Sequence, residues 1–357
     1  MTNKPSSMTD KVQTVLGPIE PSEMGVTITH EHLFIDMKGY SYQPEEATKR
    51  ALWNKPYTMD MVGSYQKNAW FTKDIMELYS EEAATEEIRD FMLAGGGTVV
   101  DTTNWDLGRD PLALARISRR TGLNIVMGSG HYVRLFHPAD MADRDEDSIT
   151  ADIVRDVTVG VGDTGVKSGI IGEIALMWPH SENEERSLRA AATAQRETGA
   201  TITLHPGFDD RSPPAILEVL DKAGADLTRV VMGHLDTFYD RGMLADLAGS
   251  GCTLQWDTYG NEETLFGEVG SGSGDVLDMP SDEQRLDALQ YVAGLGHEKQ
   301  VLISQDVFIK CMTTAYGAKG YDHIVANIVP RLRGRGWTAA QINQLLVDTP
   351  RRLLTLL

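Results

Sequence analysis

The sequence predicts a single α/β domain folded as a (β/α)8 barrel, the TIM-barrel class. Three observations lead there. Short β-branched or apolar runs alternate with longer segments of helical periodicity, the pattern of βα units around a parallel sheet. Eight such runs can be counted, and 357 residues fall inside the roughly 200 to 400 spanned by such barrels.

In chain order the strand runs are GVTITH near 25 to 30, GTVVDTT near 97 to 103, LNIVMGSG near 123 to 130 and GIIGEIA near 169 to 175. ATITLH at 200 to 205, RVVMGH at 229 to 234, CTLQWD at 252 to 257 and QVLISQD at 300 to 306 complete the set. Between them lie amphipathic stretches such as Glu82 to Leu93, Pro111 to Thr121, Glu184 to Thr198, Pro214 to Ala223 and Asp282 to Ala293. Each ends near glycine, a common helix stop. Residues 1 to 12 read as a disordered leader, and 13 to 357 as the barrel domain.

Two connections exceed a minimal βα loop. Residues 33 to 80, with Trp53, Tyr57, Trp70 and Phe71, follow the first strand; residues 258 to 281, with GSGSGD, follow the seventh. Long loops after barrel strands lie over the face where active sites form. Each is therefore a lid candidate, the alternative being a subunit interface for the first, whose aromatics suit either role, and an unconstrained excursion for the second.

Composition narrows the function. There are 52 acidic and 33 basic side chains, a net charge of −19, and no Lys/Arg-rich block, so a polyphosphate partner is repelled and nucleic-acid binding is not expected. No apolar run approaches the ~20 residues that cross a bilayer, so no membrane function is expected. The start has no signal-peptide pattern, which makes a cytoplasmic location the expectation. Cys252 and Cys311 lie far apart and outside thiolate metal spacings, so any bound metal must use histidine and carboxylate.

Ionisable residues end strand after strand. His30 and His32 close the first, Glu173 lies in the fourth, His205 ends the fifth, His234 the sixth and Asp306 the eighth. In a barrel these strand ends converge on one mouth. Side chains two apart on a strand share a face, so His30 and His32 point inward together while Glu31 points away. One such histidine is ordinarily a hydrogen-bonded structural residue. Four imidazoles and two carboxylates in one mouth would leave most of their bonding capacity unmet without a cation, and imidazole nitrogen with carboxylate oxygen suits Zn²⁺, Mn²⁺ or Co²⁺.

At these residues the chain resembles the phosphotriesterase-like branch of the amidohydrolase superfamily, and within it the phosphotriesterase-related proteins. The resemblance rests on GVTITHEHLFID, GIIGEIALMWP, TITLHPG, VVMGHLD, ISQD, DMPSDEQR at 278 to 285 and YGAKGYDHIVANIVP. It covers about residue 13 to the C-terminus. It implies two divalent ions per chain, with Zn²⁺ the first expectation: one on His30, His32 and Asp306, one on His205 and His234, and Glu173 linking them. Many relatives use a carboxylated lysine as that link; Glu173 stands there instead, with Lys167 as the fallback. The resemblance also implies a homodimer.

For catalysis, Asp306 is expected to move the proton of a hydroxide held between the ions, and Tyr132 to direct its phenol at the polarised oxygen. Trp178, Tyr259 and Lys310 are candidate substrate-binding residues, with Glu262 weaker. Lys310 would receive a substrate anion, although a surface lysine is the plainer reading. His131, His137, His180, His297 and His323 read as structural or exposed. The leading function is hydrolysis of a carboxylic ester, lactone or N-acyl amide of a small molecule, since the resembled subgroup includes an N-acetyl amino-sulfonate amidase. Organophosphate triester hydrolysis is the alternative, and a non-catalytic metal-stabilised binding protein a third.

Overall fold

In the computed structural model, eight strands follow in chain order: β1 (Val26–Glu31), β2 (Gly96–Asp101), β3 (Asn124–Met127), β4 (Ile171–Ala175), β5 (Ile202–His205), β6 (Val230–Met232), β7 (Thr253–Trp256) and β8 (Val301–Ile303). The residues described are 9–40, 43–65, 71–262 and 279–357. Parallel pairing joins β1 to β2 to β3, and β4 through β8 in sequence. Two junctions close the ring. Ser129 and Gly172 exchange backbone hydrogen bonds beyond β3, and Asp306 N–H donates to His30 C=O at 3.2 Å between the ends of β8 and β1. The (β/α)8 barrel expected from the sequence is the fold.

Most helices between the strands begin where the sequence supplies caps. In α1 (Glu81–Leu93) the Ser80 side chain accepts from Ala83 N–H, and in α2 (Pro111–Thr121) Asp110 accepts from Ala113 N–H ahead of a left-handed Gly122. α3 (Glu146–Thr158) starts on Asp145, and α4 (Glu182–Thr198) on a Ser181/Glu184 capping box before a left-handed Gly199. α5 (Ser212–Lys222), α6 (Arg241–Gly249) and α7 (Asp282–Val292) complete the inter-strand set. After β8 the chain coils through Ile324–Ile328 and Val329–Gly334. Side-chain acceptors at these positions satisfy first-turn N–H groups that have no partner within the helix. No described helix is long and apolar enough to cross a membrane.

The lower end of the barrel is plugged by the chain termini. Leu353, in the helix Thr349–Leu354, packs with Val231 and Leu302. Buried Arg229 donates to the carbonyls of Arg352, Leu353 and Thr355. Residues 9 to 12 of the expected leader are placed against the C-terminal segment. Val12 is fully buried in a hairpin strand, Val12–Thr14, and Asp10 N–H donates to Leu356 C=O.

The long connection after β1 packs on its own chain. Trp53, Tyr57, Ile75 and Met76 are buried in one cluster with Phe308, Ile309 and Met312 from the segment after β8, and Tyr57 N–H donates to Asp74. Trp70 and the GSGSGD run lie outside the described residues.

Candidate metal centre

The barrel brings the six strand-end residues together. His32 Nε2 lies 3.2 Å from Asp306 Oδ1, and His30 Nε2 lies 3.7 Å from the same oxygen and 3.5 Å from Glu173 Oε1. That glutamate oxygen also meets His234 Nε2 at 2.7 Å and His205 Nδ1 at 3.1 Å. Two groupings have ligand atoms close enough to hold an ion: His30, His32 and Asp306, and His30, Glu173 and His234. His205 sits beside the second, its ring 4.4 Å from that of His234. Glu173 stands between the imidazoles. All six side chains are buried.

Backbone geometry at the site is costly. Asp306 and His234 have φ of 48° and 51°, a left-handed conformation that costs a non-glycine residue on the order of 1–3 kcal/mol. Two glycines make room. Gly172 has φ of 118°, and a Cβ there would stand 2.3 Å from Thr203 C=O. A Cβ on Gly233 would meet Leu204 C=O at 2.7 Å and Asp257 Oδ2 at 2.9 Å. Glycine next to Glu173 and to His234 therefore lets those ligands approach the centre.

A carboxylate that the sequence reading passed over orients the rings. Asp257, the end of the quoted CTLQWD run, bonds His234 Nδ1 at 2.8 Å and stands 3.4 Å from His30 Nδ1. Gln255 Nε2 donates to the same Asp257 at 2.8 Å, and His32 Nδ1 meets the Thr103 hydroxyl at 2.9 Å. A ring whose Nδ1–H is committed to a carboxylate presents a lone pair at Nε2. His234 then faces Glu173 Oε1 at 2.7 Å, lone pair to lone pair, unless a proton or a cation lies between them.

The electrostatics agree. Burial would lower the His234 pKa, but Asp257 and Glu173 raise it well above the ordinary imidazole value. Burial would raise Glu173, yet the imidazoles of His30, His205 and His234 hold it well below the usual carboxylate range. Burial together with His234 lowers His205. The carboxylates thus pull positive charge into the pocket. Furthermore, His30 Nε2 and His205 Nε2 are buried with no hydrogen-bond partner among the described residues, an expense that proteins avoid. This nitrogen and oxygen donor set fits a divalent metal. Carboxylates behind ligating histidines typically contribute 10- to 100-fold in metal affinity, so Asp257→Asn is expected to weaken divalent-metal binding by about that factor. Titration of the apoprotein against a competing chelator measures it; unchanged affinity would remove Asp257 from this role.

The other predicted residues are placed as follows. Tyr132 is buried with its hydroxyl 3.5 Å from His205 Nδ1; burial, then Tyr40 and Glu173, raises its phenol well above the ordinary value and keeps it neutral. Trp178 stands edge-on to His180 with the Arg211 guanidinium 5.2 Å from its ring. Tyr259 is buried with Arg285 5.8 Å from its ring, and no hydrogen bond among the described residues ties it to the six. Glu262 accepts Asp282 N–H at the start of α7. Lys310 is not a bare cation: Nζ pairs with Asp74 at 2.8 Å, linking the loops after β8 and β1. The remaining histidines have structural partners: His131 bonds Asp106, His137 the Tyr132 carbonyl, His180 Ser212, His297 Gln300 and His323 Asp282.

Comparison with known proteins agrees with this geometry. The model of the phosphotriesterase family matches residues 10–354. N-acetyltaurine hydrolase of Danio rerio is 36% identical over 352 residues, covering 98% of this chain and 99% of that protein. A resiniferatoxin-binding protein from Rhodobacter sphaeroides superposes with a TM-score of 0.91 at 33% identity, covering 97% of this chain and 95% of that one. A mutant of a phosphotriesterase-like lactonase from Deinococcus radiodurans superposes with a TM-score of 0.74 at 28% identity, covering 96% and 99%. The strand-end ligand set and the full-length match lead to one conclusion: this chain belongs to the phosphotriesterase family and is a metal-dependent hydrolase on its (β/α)8 barrel.

Proposed function

We propose that the protein hydrolyses an N-acyl amide, lactone or carboxylic ester of a small molecule with two divalent ions, Zn²⁺ foremost. The observation that carries this reading is the buried convergence of four imidazoles on two carboxylates, with Glu173 Oε1 within 3.5 Å of three rings. His30, His32 and Asp306 would hold one ion, His205 and His234 the other, with Glu173 shared. Such ions supply Lewis acidity, lowering the pKa of water and polarising a carbonyl. Family resemblance also supports a homodimer.

The chain's own groups do the rest. Asp306, with Oδ1 toward His32 and Oδ2 3.9 Å from His234, accepts the proton of the attacking water and returns it to the departing nitrogen or oxygen. Tyr132, neutral because it is buried, donates its O–H to the oxygen that gains charge. Trp178, at the mouth after β4, would form a substrate wall. Lys310, paired with Asp74, would turn its remaining N–H donors to a substrate anion.

The similarity to an N-acetyltaurine hydrolase favours amides. A panel of N-acetyltaurine, N-acetyl amino acids, lactones, aryl esters and paraoxon, compared by kcat/KM, is expected to rank an amide or lactone above the triester by about a hundredfold or more. That factor is roughly 2.7 kcal/mol of transition-state preference. A triester winning by the same factor would reverse the assignment.

A further inference from the structure

We propose that Glu31 is the positioning residue that locks Asp306 in place, a role that builds on the proposed work of Asp306 in metal binding and proton transfer. Glu31 lies between His30 and His32 on β1 and faces away from them, as strand alternation requires. It is nevertheless fully buried. Its Oε1 accepts the Ser304 hydroxyl at 2.6 Å and Gln305 N–H at 2.9 Å, and its Oε2 accepts Val307 N–H at 3.0 Å. The residue on each side of Asp306 is thus tied to one carboxylate.

This arrangement answers a specific need. Asp306 stands in the left-handed region with φ of 48°, and such a residue interrupts the regular alternation of a strand, so a β-ladder cannot carry it. Its flanking N–H groups then need acceptors outside a ladder, and Glu31 supplies them. A carboxylate has two oxygens and about four lone-pair positions, enough for both flanking amides and the Ser304 hydroxyl. The remaining bonds run between the same two segments: Asp306 N–H donates to His30 C=O, and His30 N–H donates to Ser304 Oγ at 3.1 Å. The dipeptide His30-Glu31 therefore supplies one ligand and also sets the distance to another. Moreover, among the described residues β1 and β8 share no regular ladder; the Glu31 carboxylate is the main bridge where the barrel closes.

Glu31→Gln keeps the side-chain shape but turns one acceptor into a donor, which must oppose either Val307 N–H or the Ser304 and Gln305 donors. One flank of Asp306 is then released. A crystal structure of the variant is expected to show Asp306 out of the left-handed region, with Oδ1 beyond hydrogen-bonding distance of His32 Nε2. Over the same change kcat should fall about tenfold to a hundredfold with KM within about twofold, and Zn²⁺ affinity of the apoprotein should fall about tenfold. Ser304→Ala removes the donor to Glu31 and the acceptor of His30 N–H but leaves both flanking amides on Glu31, so Asp306 should keep its left-handed conformation. An Asp306 that holds its conformation in Glu31→Gln overturns the proposal, whatever happens to kcat. If that variant does not fold, Glu31→Asp decides the matter, since its reach is one methylene shorter: an undisplaced Asp306 again counts against the clamp. Asp306→Asn, measured alongside, tests the separate premise. Wild-type kcat and Zn²⁺ affinity there would remove the role of Asp306 while the crystal result still judges Glu31.

Discussion

Replacing Glu173 with glutamine is expected to cut kcat/KM by about a thousandfold or more, roughly 4 kcal/mol of transition-state stabilisation, with the fold intact. The size follows from how much converges on one carboxylate. Its Oε1 lies within 3.5 Å of nitrogens of His30, His205 and His234, and its Oε2 lies 4.0 Å from His32 Nε2. A neutral amide removes the charge that raises His234 and that balances a cation in this pocket. It also sets an N–H₂ donor against at least one ring. Metal content by elemental analysis should fall below that of the wild type, and adding metal should restore little activity. Since the carboxamide nearly matches the carboxylate in volume, thermal stability without metal should change little. Wild-type kcat/KM and full metal content in Glu173→Gln would sink the metal-centre reading.

The second large effect is one of stability. Arg285 on α7 is completely buried and is held from four sides: Nε donates to Asp236 at 2.7 Å, Nη1 to Asp282 at 3.1 Å, and Nη2 to the Thr258 hydroxyl and the Asn261 carbonyl at 2.9 and 2.8 Å. Removing one member of a buried ion network leaves uncompensated charge and costs about 3–5 kcal/mol, so Arg285→Ala should lose that much in chemical denaturation. Arg285→Lys should recover only part, because an ammonium lacks the planar fork that reaches these acceptors at once. The damage should also reach the metal. Asp236 accepts the N–H groups of Asp257 and Thr258, and Asp257 orients His234 and His30. Arg285→Ala should therefore bind divalent metal more weakly as well as unfold earlier. A loss below about 1 kcal/mol would mean that the network is not the support described.

Much of this architecture could be read in the chain because local signals repeat. Eight β-branched runs each became a barrel strand, and the helices at Glu81–Leu93, Pro111–Thr121 and Asp282–Val292 began and ended within a residue or so of the expected limits. The convergence of the candidate ligands was legible for a related reason: strand ends share a destination in a barrel, so a histidine at each is conspicuous. Asp257 carried the same signal, a carboxylate at the end of CTLQWD, and could have been found by it. Glu31 could not. Alternation shows that it turns away from His30 and His32, but not that Ser304, Gln305 and Val307 wait on that side. The Lys310 ion pair was equally hidden: its partner Asp74 lies more than two hundred residues earlier in the chain.

The sequence by itself determined the class of fold, the positions of its strands and the kind of chemistry its strand ends offer, because hydrophobic period, capping residues and ligand type are local properties. Only the tertiary structure decided which nitrogen faces which oxygen, that Asp306 and His234 take left-handed backbone, and which buried carboxylates hold them there. Those outcomes depend on hydrogen bonds between segments remote in the chain. Such a bond forms only when closure of the barrel brings donor and acceptor within about 3 Å, and no local pattern records it.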